Sequence, residues 1–520
     1  MKTPDVGAAQ IADSTDGATS PGGSPKSSSA LPLGLLAVIT GAAAVLRIHA
    51  LAAKSFWFDE GVSVAIARLD WYNFARILWR REANMSLYYL LLRGWLHLGS
   101  SEFWIRALSV LFAVASIPVL YFLGKRLFDA RVGAIASALL AVNAYHIQYS
   151  QEARTYPLMV LLCMISSLYF LKCLDDSSRR NRLIYILSSG LAVYAHFYSV
   201  LVVMAQWLSL TFLEQKEMRR RITNDWRWIG LGIVPIFAFI VATGTGPLRW
   251  VQRPSATELW DDALDFAGYG GPALLLAYGV AVLAGTLPVC KTWRVRRVFG
   301  EPWKCRFLWI WLAFPPLLVV LISFVKPLFV LRYFISSLPA FLLLAASGVV
   351  RLRRPALIAP AVVLLIVLCW RGTVRGYQQD IDIQRDEWRF ATHYLLEHAQ
   401  PGDALIFHVP MGRMPYEFYR SLPASGAAAP VVLYPHHADH ITFLDFVEKP
   451  DYPQLEGLLP HYARVWLVLN HARGPEGGPD RRSQELSQML EKNYPHTEME
   501  GFLGVEFLVY SRGGVTGSDP

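Results

Sequence analysis

YFLGKRLFDARVGAIASALL, residues 121–140, sets three cations, Lys125, Arg126 and Arg131, between two apolar runs. The arrangement recurs at Lys172 with Arg179, Arg180 and Arg182, at Lys216 with Arg219, Arg220 and Arg221, from Lys291 to Arg306, and at Arg351, Arg353 and Arg354. Two long apolar stretches separate each cluster from the next. Short loops rich in Lys and Arg stay in the cytoplasm, so the clusters mark every second turn of a polytopic membrane protein. Composition agrees, with 54% hydrophobic and only 17% charged residues, against about 25% charged in ordinary soluble chains. The formal charge of +9 lies largely in these loops, which membrane topology explains better than nucleic acid does.

A spanning helix needs about 20 apolar residues. Candidate spans are Leu31–Leu51, Phe103–Leu123, Val132–Tyr149, Tyr156–Leu174, Leu183–Ala195, Tyr198–Leu213, Trp228–Thr243, Pro272–Cys290, Phe307–Val325, Tyr333–Val350 and Pro355–Trp370. The two flanking His196 are short, and as a pair they read either as separate helices or as one broken element. Counting them separately keeps the basic clusters alternating. The fold class is thus a polytopic α-helical membrane protein of about 11 transmembrane helices, with a small C-terminal α/β soluble domain. The domains expected are a disordered cytoplasmic tail over 1–30, a transmembrane domain over 31–371, an α/β domain over 372–511 and a flexible tail over 512–520. The first span reads as an uncleaved anchor, because no basic segment with a small-residue cleavage site precedes it. Five cysteines, mostly in spans or at their cytoplasmic ends, offer no disulfide framework and no CxxC pair.

This topology places the first outer loop, 52–102, on the same face as Ser150–Thr155, His196, Lys326–Arg332 and the C-terminal domain. In that domain Ala404–Val409, Val431–Tyr434, Arg464–Leu469 and Glu506–Tyr510 read as strands. Asp386–His398, Pro415–Ser421 and Gln484–Lys492 read as helices. No glycine-rich phosphate loop follows the first strand, so the domain reads as a cap or an acceptor-docking element.

The outer face collects polar residues suited to one kind of chemistry. Asp59 and Glu60 follow the first span, where a carboxylate could deprotonate a hydroxyl; acids also suit a helix N-terminus. Glu152 and Arg154 lie two apart and cannot pair across a helix, so each is available elsewhere, or as a solvated pair. An arginine here suits a phosphate, bidentately. Lys326 and Arg332 are cations against the positive-inside trend, as phosphate partners or as snorkelling residues. His196 interrupts apolar sequence at the same face, and a lone case is commonly a structural histidine. His436, His437 and His440 lack a clear acidic or Cys partner at ligand spacing and read as a loop.

On these residues the chain resembles the GT-C glycosyltransferases, in particular the bacterial family-39 type related to protein O-mannosyltransferases and aminoarabinose transferases. The resemblance rests on Asp59-Glu60, on Leu87-Tyr88-Tyr89-Leu90-Leu91-Leu92, on Tyr149-Ser150-Gln151-Glu152-Ala153-Arg154, and on Arg332-Tyr333 with Pro339. It spans roughly Leu31 to Trp370. It implies a membrane enzyme of the non-cytoplasmic face of a bacterial inner membrane, moving a sugar from a polyprenyl-phosphate donor by inverting single displacement. The acceptor would be a protein, a lipid or a glycan. By the same resemblance Asp59 is the general base within a catalytic pair with Glu60. Arg154, Lys326 and Arg332 face the leaving phosphate, and Glu60, Glu152 and His196 position sugar or acceptor hydroxyls, alongside Tyr88, Gln151 and Tyr333. Many relatives carry His-Pro-Pro before the Leu-Tyr-Tyr run, where this chain has Asn84-Met85-Ser86; Glu82 and Asn84 are the residues that would substitute. No resident cofactor is implied with certainty, and a divalent cation is left open. Two other readings stay beside it: a lipid-linked glycan ligase or polymerase, and a lipid-sugar transporter. Against the transporter stand charges at span ends rather than at the midplane, and no internal repeat.

Overall fold

The computed structural model describes residues 33–213, 216–244, 251–291, 301–378, 386–422, 429–435, 440–446, 450–472, 478 and 480–513. The tail expected over 1–30, most of that over 512–520, the cations within 292–300, and His436 and His437 lie outside these residues.

The membrane part opens with α1 (Leu33–Ile48), followed by the outer-loop helices α2 (Phe58–Arg68), α3 (Trp71–Ile77) and α4 (Ser86–Trp95). Then come α5 (Glu102–Leu127), α6 (Ala130–Ala141), α7 (Ala144–Ser150), α8 (Tyr156–Asp175), α9 (Arg179–Ala195), α10 (Ser199–Leu210) and α11 (Lys216–Thr243). The last group is α12 (Ala256–Ala267), α13 (Pro272–Lys291), α14 (Glu301–Ser323), α15 (Leu338–Val350) and α16 (Pro355–Gln378). A helix occupies each of the eleven apolar stretches. Among the described residues six helices are long and apolar enough to cross a membrane alone, or up to eight spans with the bent pairs α6–α7 (60°) and α12–α13 (75°).

Two local devices shape this bundle near the site. The α6–α7 bend frees the carbonyls of Leu140 and Ala141, which Arg47 of α1 takes at 3.0 and 2.9 Å. Asn143 then starts α7 by accepting from the His146 amide at 2.9 Å. A guanidinium buried in a span needs such partners, since unpaired charge there is costly. The pair around His196 is a hairpin of two helices. Tyr185 and Gln206 stand 21 residues apart, about 31 Å along one continuous helix, yet their side chains hydrogen-bond at 3.1 Å. Close approach of α5 and α6 needs glycine: a Cβ at Gly133 would come within 2.4 Å of the Tyr121 carbonyl oxygen.

The C-terminal domain carries α17 (Trp388–His398), β1 (Ala404–Phe407), α18 (Arg413–Arg420), β2 (Val431–Tyr434), α19 (Tyr452–Leu458), β3 (Arg464–Asn470), α20 (Arg481–Asn493), β4 (His496–Phe502) and β5 (Val505–Ser511). The sheet runs β2-β1-β3-β5-β4, parallel about β1 and antiparallel where β5 pairs with β3 and β4. The four strands expected from sequence form its interior and one edge. The fifth, β4, is exposed at nearly every residue, so HTEMEGF holds no apolar alternation to read.

Candidate active site

The helix α2 begins at Phe58, so Asp59 and Glu60 fall in its first turn, where carboxylates complement exposed amides. Adjacent residues on a helix point about 100° apart, and these two go to different surroundings. Glu60 points inward and is 1% exposed. Arg106 of α5 grips it with Nε to Oε1 at 2.8 Å and Nη2 to Oε2 at 2.7 Å. The Ala153 amide donates to Oε1 at 2.8 Å, and the Trp57 amide reaches Oε2 at 3.4 Å. Arg106 in turn donates to the carbonyls of Leu51, Lys54 and Ser55. This carboxylate is taken up by the protein, so the expected catalytic pair is structurally unequal.

Asp59 is 23% exposed and faces two cations through one oxygen, Oδ2: Arg154 Nη2 at 3.3 Å and Arg332 Nη2 at 3.7 Å. Arg154 also donates to Ser63 Oγ at 3.2 Å, one turn on from Asp59. Its own turn is pinned on every side. Ala153 is held by Glu60, the Arg154 carbonyl accepts from Ser109 at 3.0 Å, and Thr155 donates to the Ala195 carbonyl at 2.7 Å. That last bond brings the turn against the α9–α10 hairpin, where His196 is 2% exposed. Arg332 lies on the 3₁₀ segment Leu331–Ser337, its guanidinium 5.5 Å from the Trp57 ring centroid. Tyr333 beside it packs on His196 at 4.6 Å and on Tyr198 at 4.9 Å.

His196 has a fixed tautomer. Its Nδ1 accepts from the Tyr198 amide at 3.3 Å, so in the neutral ring the proton sits on Nε2. Nε2 is buried without a hydrogen-bond partner among the described residues. Burial, then the charges of Arg154 and Arg332, push this imidazole down to about 3. The result is a neutral N–H donor at neutral pH.

The remaining expected residues divide. Glu82 accepts from Tyr89 at 3.1 Å and lies within electrostatic reach of Arg154 and Asp59; burial raises its carboxyl above the usual range, against the pull of Arg154. Asn84 lies on the neighbouring 3₁₀ turn Ala83–Met85. Tyr88 is buried, its hydroxyl paired with Ser109 at 2.9 Å, away from Asp59. Gln151 ties α7 to the end of α1 through the carbonyls of Arg47 and His49. Lys326 stands exposed after α14, and among the described residues no ion pair joins it to Asp59. Glu152, 7% exposed, lines a cleft with Lys54, Trp57, Gln151, Tyr269 and Tyr377, of about 760 Å³ out to its open mouth. Trp57, whose ring centroid is 5.5 Å from the Arg332 guanidinium, thus also lines the cleft, and its Nε1 is buried with no acceptor among the described residues.

Arg106, Ser63 and Asp386 were missed by sequence reasoning. Arg106 did leave a signal, a lone cation early in an apolar span, which requires a buried partner. Asp386, which accepts from the Phe58 amide at 3.0 Å, left none.

Residues 86–243 match the family model described as dolichyl-phosphate-mannose-protein mannosyltransferase. No curated protein sequence matches the chain significantly. Among solved structures, ArnT from Cupriavidus metallidurans in the apo state matches with TM-score 0.60 at 11% identity, over 92% of this chain and 98% of that one. Its form bound to undecaprenyl phosphate gives 0.58 at 13%, over 94% and 100%. The oligosaccharyltransferase AglB from Archaeoglobus fulgidus, with an inhibitory peptide and a dolichol-phosphate, gives 0.52 at 12%, over 84% and 69%. An Archaeoglobus fulgidus oligosaccharyltransferase in complex with Zn and sulfate gives 0.51 at 12%, over 83% and 67%. The chain therefore has the GT-C fold that its sequence motifs resemble.

Proposed function

We propose that this protein is an integral membrane glycosyltransferase that moves a sugar from a polyprenyl-phosphate donor to an acceptor, with inversion in a single displacement. The observation carrying the reading is the convergence of Arg154 and Arg332 on the Asp59 carboxylate beside the neutral N–H of His196. The lipid-phosphate ligands of ArnT and AglB, which share the fold, support a donor of this class.

The donor phosphate takes over the two guanidiniums, which releases Asp59 from its ion pairs. Asp59 then accepts the proton of the acceptor hydroxyl as that oxygen attacks the anomeric carbon. The bond from the anomeric carbon to the phosphate oxygen breaks, and its electron pair leaves with the phosphate. Arg154, Arg332 and His196 Nε2–H meet that charge in place, without reorganisation. Glu60 is a positioning residue that fixes α2 and the Ala153–Arg154 turn together. Glu152 and Gln151 line the neighbouring cleft and Glu82 lies within electrostatic reach of Asp59, and these three are assigned to sugar or acceptor hydroxyls.

The site does not suit a metal: Asp59 faces two cations, Glu60 a third, and among the described residues no three His, Cys, Asp or Glu side chains converge. We assign the N-terminus to the cytoplasm and residues 372–511 to the outer face of a bacterial inner membrane, on the alternation of basic loops.

The test is a transfer assay with purified protein in lipid nanodiscs, a panel of radiolabelled polyprenyl-phosphate monosaccharides and membrane extract as acceptor. Label should move with wild-type protein and not with Asp59→Asn. Turnover of a pyrophosphate-linked oligosaccharide alone would replace this reading with the ligase, which the AglB likeness keeps in view.

A further inference from the structure

The helix that presents Asp59 has no N-cap side chain that accepts a hydrogen bond. Its N-cap residue is Trp57, whose indole has no acceptor to offer, so the first amides of α2 depend on other residues. Glu60 reaches back to the Trp57 amide at 3.4 Å. The next amide, Phe58, donates instead to Oδ2 of Asp386, 328 residues further along the chain, at 3.0 Å. Asp386 is 1% exposed, and the Trp388 indole holds the same oxygen at 3.3 Å. The C-terminal domain grips the segment entering α2 in the same way. Tyr419 Oη accepts from the Phe56 amide at 2.6 Å, the Arg389 amide donates to Ser55 Oγ at 2.9 Å, and Arg389 Nη2 donates to the Ala52 carbonyl at 2.9 Å. On the first turn of α2 a Cβ at Gly61 would meet Pro415 of α18 at 2.8 Å, so only glycine lets the domain seat this closely.

We propose that Asp386 is a positioning residue that caps the Asp59 helix from the C-terminal domain, so that this domain sets the geometry of the general base rather than serving only to dock the acceptor. The cap fixes Phe58, the residue before Asp59, and through it the direction of the Asp59 side chain toward Arg154 and Arg332. The proposal rests on the glycosyltransferase reading for its kinetic arm only.

Its test uses the full-length protein in nanodiscs and two substitutions, Asp386→Ala, which removes the acceptor, and Asp386→Asn, which keeps an oxygen there. Amide hydrogen exchange over residues 56–62, without substrate, should speed up by ~10-fold in Asp386→Ala and stay near wild type in Asp386→Asn. With the polyprenyl-phosphate sugar that wild type uses, Asp386→Ala should lower kcat by ~10- to 100-fold with donor KM within about twofold, the signature of a misplaced group rather than a lost binding contact. Asp386→Asn should recover most of kcat. Wild-type exchange in Asp386→Ala, faster exchange with unchanged kcat, or equal damage in both variants would each overturn the proposal. If wild type turns over no donor, the functional reading fails while the exchange arm still decides whether Asp386 caps α2.

Discussion

Asp59 and Glu60 are neighbours in sequence and opposites in the fold. Around Glu60 the contacts are short and closed: both oxygens meet Arg106 at 2.7–2.8 Å, and the group is 1% exposed. Around Asp59 they are long and open, 3.3 and 3.7 Å to two guanidiniums, with 23% exposure and an unspent His196 N–H nearby. A structural ion pair satisfies its charges with protein groups, since an unpaired buried charge is costly. A reactive one holds donors in reserve for a ligand. The difference separates two carboxylates that no composition or spacing rule could tell apart.

The sharpest way to break this contrast is Asp59→Asn, which should lower transfer by ~10³-fold or more while leaving the thermal unfolding midpoint near wild type. Unchanged turnover would remove Asp59 from the reaction. The converse result is expected on the closed side. Arg106→Leu strands the buried Glu60 charge and should cost about 3–5 kcal/mol of stability, read by unfolding in detergent; adding Glu60→Gln should recover more than half. A loss of turnover in Arg106→Leu at full stability would make Glu60 a reaction partner after all. Next in size, Arg332→Lys keeps the charge but loses the planar fork, and should lower kcat by ~10²-fold. The smallest effect is expected at His196. Its folded value, about 3, lies below the usual imidazole range, so it stays neutral from pH 5 to 8 and its titration lies well below that window. His196→Gln, which retains an N–H, should lower kcat by only ~10-fold and leave the pH–rate profile unchanged in shape. A limb near pH 6.5 that disappears in this variant would mean that His196 exchanges protons in the reaction.

Much of the architecture was legible because membrane physics writes it locally. Basic loops and apolar runs located helical structure in each of the eleven expected stretches, though not α12, and the Tyr149–Arg154 and Asp59-Glu60 motifs named the elements that meet. The roles within those elements were harder. Tyr88 lies in the Leu-Tyr-Tyr run, yet its hydroxyl is spent on Ser109; Lys326 has the expected charge but stands exposed, with no ion pair to Asp59 among the described residues. Which face a side chain takes depends on where α5 and the 331–337 segment pack, and a linear pattern does not encode that. Arg106 could have been found, since a cation in a span demands a partner. Asp386 could not, because a capping acceptor supplied from another part of the chain leaves no local signature. Strand β4 was invisible for the opposite reason: an exposed edge needs no apolar face.

The long sequence distance between Asp59 and its neighbours has a consequence for biosynthesis. The first turn of α2 draws on Arg106 and Ala153, then Arg332, and finally Asp386, Arg389 and Tyr419. A ribosome making this chain releases Asp59 more than 300 residues before Asp386, Arg389 and Tyr419, its last supports. Helices can be inserted in order as they emerge, but the working geometry of Asp59 arrives in a late step, when the C-terminal domain folds back onto the start of the chain. A nascent or truncated protein would therefore occupy the membrane with the first turn of α2 still unsupported.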